Sequence, residues 1–272
     1  MMGRAGGVLR RMRVFCLVLM FLSGLRVGAD ERELFAFFNG MPKGSFAEQA
    51  RFLKEAGYAG VSQVYAKEGG EKLEERVAAF EEAGLKVLSL YLAATKEAVK
   101  EETVRGLANR GGMIELTVRK IDDEVIASIR KTAAMAEKLK IKVALYPHAG
   151  FAVATMPQAM ELIAKVGHDN LGVMFNLCHF LKSERAEDLE KVLDSAGNKL
   201  FAVSICGAEI DGKDWGELIQ TLDQGSFRQE RLFQQLEKMG FDGPLALQCY
   251  ALKGDKKENL RKSMKAWRKV GQ

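Results

Sequence analysis

The feature that most constrains this chain is a repeat of kind rather than of letters. A short β-rich apolar run, a loop and an amphipathic segment ending at glycine recur along most of its length. The runs begin at Leu34 (LFAFFNGM), Ala59 (AGVSQVYA), Lys86 (KVLSLYLA), Met113 (MIELTVRK), Lys142 (KVALYPHA), Leu171 (LGVMFNLCHF), Leu200 (LFAVSICGA) and Leu245 (LALQCYAL). Successive starts lie 25, 27, 27, 29, 29, 29 and 45 residues apart, which is one strand and one helix each time. Between them stand helical patterns such as SFAEQARFLKEAG, EKLEERVAAFEEAG and DEVIASIRKTAAMAEKLK. Ser45 with Glu48 spells a capping box, and Gly57, Gly84 and Gly240 supply left-handed helix stops. Eight such units match a (β/α)8 barrel, whereas an open doubly wound sheet seldom needs eight even repeats. The expected fold is therefore α/β, a single (β/α)8 TIM barrel over residues 30–272, with no linker or composition shift dividing it.

The first 29 residues read differently. Val14–Leu25 is an apolar run of twelve, preceded by Arg10, Arg11 and Arg13 and followed by Val27-Gly28-Ala29, a small-residue cleavage pattern. A helix of twelve residues spans about 18 Å, short of the roughly 30 Å hydrocarbon core, so a cleaved signal peptide over residues 1–29 is expected rather than a stable membrane anchor. Met12 is an alternative start. The reading implies export to a periplasmic or extracellular space. The leader holds five arginines and no acid; the remainder balances 36 basic against 36 acidic residues. A neutral body offers no electrostatic ground for nucleic acid as a partner. Cys178, Cys206 and Cys249 remain after cleavage, an odd number that does not suit a disulfide framework.

In such barrels the chemistry sits at the carboxyl ends of the strands. Alternation, phased on Asn176, turns inward Asn39, Gln63 or Tyr65, Tyr91, Glu115, Tyr146, His148, Asn176, Ser204, Gln248 and Tyr250. Each alone is an ordinary core polar group. Gathered together, amides, hydroxyls and ring faces suit a small polyhydroxylated ligand such as a sugar. His148 and His179 close strands five and six, where a neutral imidazole exchanges protons near pH 7 or makes a structural hydrogen bond. His168 precedes strand six and falls on the opposite face. Glu115 is the one carboxylate placed in the lumen: a general acid or base with a raised pKa, or else the partner of Arg119 or a lysine, or out of phase by one residue. The long interval from Glu209 to Ser226 lies on the catalytic face; either it covers the site with Trp215, or Trp215 pins a surface excursion to the rim. Glu209 and Asp211 are reserve carboxylates.

The strand endings ALYPHAGF, LGVMFNLCHF, FAVSICGA and GPLALQCY resemble the sugar phosphate isomerase/epimerase family, the xylose isomerase-like TIM barrels, most specifically over about the last 130 residues. Members of that family end strand five in Glu-Asn-His, strand six in Asp-Thr-Gly-His and strand eight in Glu, with a His on strand seven. Two Glu, one Asp and one His then bind a divalent metal. Here Tyr146-Pro147-His148, Asn176-Leu177-Cys178-His179, Ser204 and Gln248 stand in those places. The resemblance thus implies the shape of the site without its charge, and neither metal nor other cofactor is expected. A softer zinc site from Cys178, Cys206, His148 and His179 has no recognised ligand spacing.

The expected function is that of an exported sugar isomerase or epimerase, moving a proton next to a carbonyl. His148, His179, Tyr146 and Glu115 are the catalytic candidates; Asn176, Ser204, Gln248, Tyr250 and Trp215 are the substrate-binding ones. The alternative is a carbohydrate-binding barrel that has lost its chemistry. A glycoside-cleaving barrel needs a carboxylate pair, for which Glu115 and Glu209 are the nearest candidates. The expected partner is a small-molecule sugar; the sequence sets no oligomeric state.

Overall fold

Each β-rich run becomes a parallel strand because its branched and aromatic residues are covered on both faces, by the lumen on one side and by helices on the other. The computed structural model describes residues 32–65 and 72–270, so the expected leader lies outside the described residues. The strands are β1 (Leu34–Phe37), β2 (Gly60–Ser62), β3 (Val64–Tyr65), β4 (Lys86–Val87), β5 (Ser89–Ala94), β6 (Met113–Val118), β7 (Lys142–Leu145), β8 (Leu171–Asn176), β9 (Leu200–Ile205) and β10 (Leu245–Leu247). Around them run α1 (Phe46–Ala56), α2 (Leu73–Glu82), α3 (Glu101–Val104), α4 (Asp123–Lys138), α5 (Met156–Val166), α6 (Leu177–Ser183), α7 (Leu189–Ala196), α8 (Trp215–Leu218), α9 (Gln229–Lys238) and α10 (Lys256–Val270). β10 pairs in parallel with both β9 and β1, which closes the ring. The (β/α)8 barrel read from the spacing is the fold.

Ten strands make eight staves because two staves are each broken in two. β2 and β3 are separated by Gln63, which has a φ of 59° although it is not glycine, and β4 and β5 are separated by Leu88. Each break shifts the alternation by one residue. Val61 and Val64 both pack outward, so Ser62 and Gln63 both face the lumen; Val87 and Leu90 pack outward, so Leu88 and Ser89 face in. Gln63 and Tyr65, read from the sequence as alternatives, both line the cavity.

Helix ends follow the local chemistry of the sequence. Ser45 and Glu48 make the capping box that starts α1, and Gly57 closes it at a φ of 96°. Thr155 and Gln158 make a second capping box at α5. The outer core fills the space between helices and strands. A smaller inner core of Phe35, Phe37, Leu88, Met113, Ala144, Met174, Ala202 and Ala246 plugs the lumen. The barrel is thus packed below and opens at its carboxyl-end mouth.

Candidate active site

Above that plug lies a cavity of about 230 Å³ lined by Asn39, Gln63, Tyr65, Tyr91, Tyr146 and His148, and further by His179, Trp215, Ile219, Gln248 and Tyr250. Rings succeed one another edge to face around it, with centroids 5.8 Å apart for Tyr65 and Tyr91, 5.2 Å for Tyr91 and Tyr146, 5.6 Å for Tyr146 and His179, and 5.1 Å for His179 and Trp215. Such contacts hold each ring in one orientation around the cavity.

One residue sets the protonation pattern of both imidazoles. The Ala149 carbonyl only accepts, so its 2.9 Å contact with His148 Nδ1 places a proton on that nitrogen and leaves a lone pair on Nε2. The Ala149 N–H only donates, here at 3.2 Å to His179 Nδ1, so neutral His179 carries its proton on Nε2. The two rings lie 4.1 Å apart, and His148 is stacked from its other side on Phe151, itself covered by the Arg119 guanidinium. Burial first, and His148 second, hold His179 down to about 3. Burial also lowers His148, with the Arg119 charge adding to it. Both rings are neutral at pH 7, one presenting an acceptor and the other a donor.

A chain of neutral hydrogen bonds crosses the floor. Asn39 Nδ2 donates to Gln248 Oε1 at 3.1 Å, and Gln248 Nε2 donates to the Tyr146 hydroxyl at 3.3 Å. Tyr146 also bonds the Gln63 side chain, and Gln63 Nε2 donates to Glu115 Oε2 at 3.0 Å. Gln248 Oε1 further accepts the backbone N–H groups of Cys249 and Tyr250, which fixes its orientation. The Asn39 Oδ1 is buried with no partner, an acceptor left open at the end of the chain.

The sequence placed most of these groups, but three of its candidates stand elsewhere. Glu115 is fully buried in the lumen yet lies beneath the cavity wall. It accepts from Ser89 Oγ at 2.5 Å and from Ser62 Oγ at 3.4 Å besides Gln63, and its hydrogen-bond partners do not include Arg119. Burial raises it to about 7 against the pull of those donors. Asn176 and Ser204, in register on β8 and β9, are buried and do not line the cavity. The chain turns into α6 directly after Asn176, and the Cys178 thiol donates back to Asn176 Oδ1 at 3.2 Å, which engages the amide oxygen within its own turn. Trp215 takes both expected parts at once: it lines the cavity, and it anchors the long loop through α8, which Asp214 caps by accepting from Gly216 and Glu217 N–H. Glu209 closes that loop by accepting from Ser226 N–H, and Asp211 is not on the cavity wall. His168 precedes β8, where its Nδ1 accepts from Asn170 N–H. Sequence reasoning missed Ile219 and Phe151. The aromatic three residues after His148 in a turn was the available sign, since Phe151 N–H donates to the His148 carbonyl.

The residues at the family's metal positions do not fit a divalent cation. Tyr146 is a phenol held well above its ordinary range, by burial first of all; Asn176, Ser204 and Gln248 carry no charge. Among the described residues no three His, Cys, Asp or Glu side chains gather closely enough to hold a metal ion, and this includes the soft set of Cys178, Cys206, His148 and His179. Cys178, Cys206 and Cys249 are buried free thiols.

Fold and cavity together define a (β/α)8 barrel with a cavity at the carboxyl ends of its strands. The model of the Xylose isomerase-like TIM barrel family matches residues 117–270, and the chain belongs to that family. No curated protein matches the sequence. Among solved structures it is similar to the apo form of 3-keto-D-glucoside 4-epimerase from E. coli, with a TM-score of 0.72 and 17% identity over 88% of this chain and 99% of that one. It is also similar to L-ribulose 3-epimerase, with a TM-score of 0.68 and 17% identity over 88% of this chain and 94% of the other. D-psicose 3-epimerase with D-tagatose, from Clostridium cellulolyticum H10, gives 0.65 and 12% over 86% and 96%. At these identities the likeness establishes the fold.

Proposed function

We propose that this chain is an exported enzyme that binds a sugar or sugar derivative in the barrel mouth and moves a proton next to its carbonyl without a divalent metal. The observation that carries the reading is the pair of imidazoles whose tautomers Ala149 fixes in opposite senses. His148 Nε2 takes the proton from the carbon beside the carbonyl, becoming imidazolium, and the C–H electron pair moves onto the carbonyl oxygen as an enolate. His179 Nε2–H, with the Tyr146 hydroxyl, hydrogen-bonds that oxygen as charge develops. The hydroxyl on the carbon that lost its proton then gives its own proton to the enolate oxygen, its O–H electron pair forming the new carbonyl, while His148 returns its proton to the former carbonyl carbon; the sugar is isomerised and the ring is neutral again. The tyrosine faces and the amides of Asn39, Gln63 and Gln248 suit C–H surfaces and hydroxyls respectively. The sugar epimerases among the similar structures agree with this chemistry. Export is part of the proposal and rests on the Val14–Leu25 leader; a mature N-terminus at Asp30 is its test.

A second reading, a carbohydrate-binding barrel without catalysis, is favoured by one observation: His179 held at about 3 shares the site with no ionised partner on the cavity wall. Solvent exchange separates the two. The metal-stripped protein in D2O is expected to exchange deuterium into D-tagatose or L-ribulose, read by mass, and His148→Gln to slow that exchange about 100- to 10,000-fold. Sugar-dependent thermal stabilisation without exchange favours the binder. Exchange that appears only on adding Mn²⁺ overturns the metal-free mechanism.

A further inference from the structure

A second cavity, of about 290 Å³, adjoins the first and shares Asn39, Tyr65 and Tyr250 with it. Each alone falls short of the roughly 300–1,000 Å³ usual for a small-molecule site, and joined they reach it. Tyr250 stands at the junction. It is 53% exposed, a rare state for so large a ring among the described residues, and it lies two residues after Gln248, the amide that the cavity floor fixes through Cys249 and Tyr250 N–H. The next residue, Ala251, has a φ of 55°, a left-handed conformation costly for any residue but glycine. The backbone is thus bent sharply where it sets the shared ring between two compartments.

The compartments differ in chemistry. The inner one has amides, phenols and imidazoles; the outer one is walled by Leu252, Leu260 and Ala251, with Lys256 and Asn259 at its edge. Lys256 Nζ already donates to the Asn39 carbonyl at 2.9 Å, and Asn259 Nδ2 to the Lys253 carbonyl at 3.0 Å. A phosphate there would meet a single cation and an apolar wall, too few donors for a dianion. A second sugar ring or an apolar aglycone presents C–H surface that such a wall accepts.

Resting on the sugar-site reading above, we infer that the cleft has two subsites and that its ligand is a glycoside or disaccharide rather than a free or phosphorylated monosaccharide. One ring occupies the inner cavity, and the group linked to it lies beyond Tyr250 in the outer one.

The test is calorimetric titration of the intact protein with D-glucose, methyl and phenyl glucosides, cellobiose, maltose and glucose 6-phosphate, alongside D-tagatose and L-ribulose. A phenyl glucoside or disaccharide is expected to bind at least tenfold more tightly than any free monosaccharide. Leu252→Trp and, separately, Asn259→Trp are expected to bring that ratio to about one by filling the outer compartment. Two variants on different elements guard against a folding defect in either. Monosaccharides binding as tightly as the larger ligands overturn the second subsite alone, as does a ratio that survives both substitutions. Tighter binding of glucose 6-phosphate than of methyl glucoside overturns the apolar assignment. Failure of every sugar to bind, tagatose and ribulose included, overturns the sugar-site reading itself.

Discussion

At the scale of single residues, two buried titratable groups pull the pH dependence of stability in opposite directions. His179 is 5% exposed and held at about 3, against an ordinary 6.5, so between those values the unfolded chain binds the proton and the folded chain does not. Its contribution is complete above pH 6.5 and is lost as pH falls toward 3. Glu115 is the reverse case: its folded value is raised from 4.5 to about 7, so its contribution is complete below 4.5 and is lost as pH rises through 7. Thermal melts across pH should therefore show that His179→Gln flattens the acid-side decline. Glu115→Gln should gain on the unsubstituted protein as pH rises from 4.5 past 7; parallel curves would refute the burial argument. The inward direction of Tyr146, Tyr91, Asn39 and Gln248 was legible in the sequence, because polar and aromatic groups recur at the carboxyl ends of successive apolar runs. The depth of Glu115 was not. Alternation says which way a residue points and is silent about which layer of the lumen it occupies.

At the scale of elements, the single turn α8 matters more than its length suggests. Asp214 caps it, and the cap holds Trp215 against His179 on the cavity wall. Asp214→Ala, at a residue that does not line the cavity, is expected to cost about 1 kcal/mol of stability. It should also weaken sugar binding several-fold by freeing the Trp215 ring; titration of the variant with unchanged affinity would show the ring to be held by other contacts. Strands and helices were readable from spacing, since eight apolar runs separated by capped amphipathic segments admit few arrangements. The breaks at Gln63 and Leu88 were not readable. A glycine would have advertised a left-handed bend, but a glutamine at a φ of 59° is fixed by what surrounds it. The long loop could be placed on the correct face, while the antiparallel bridge of Gly207 with Gln220 at its base has no counterpart in the local pattern.

At the scale of the whole molecule, electrostatics is conspicuous at the surface and muted in the cleft. The eleven ion pairs among the described residues are surface pairs, while the inner cavity is lined only by uncharged groups and neutral imidazoles. Ligand affinity is accordingly expected to change less than twofold between low salt and about 0.5 M salt, where surface charges are screened. A steep loss with salt would mean that an anion is being bound. The family was legible in the last half of the chain because strand endings keep their layout even where their ligands have changed. The broken staves carry one further consequence. Being neighbours, they lay that side of the wall as two tiles, β2 with β4 below and β3 with β5 above, and the joint between the tiles admits Ser62, Gln63 and Ser89 together. Remove one residue from each stave and the weave would run true again. The interior acid would then lose its retinue of donors, and a carboxylate at the barrel's heart would stand without the partners that offset its burial.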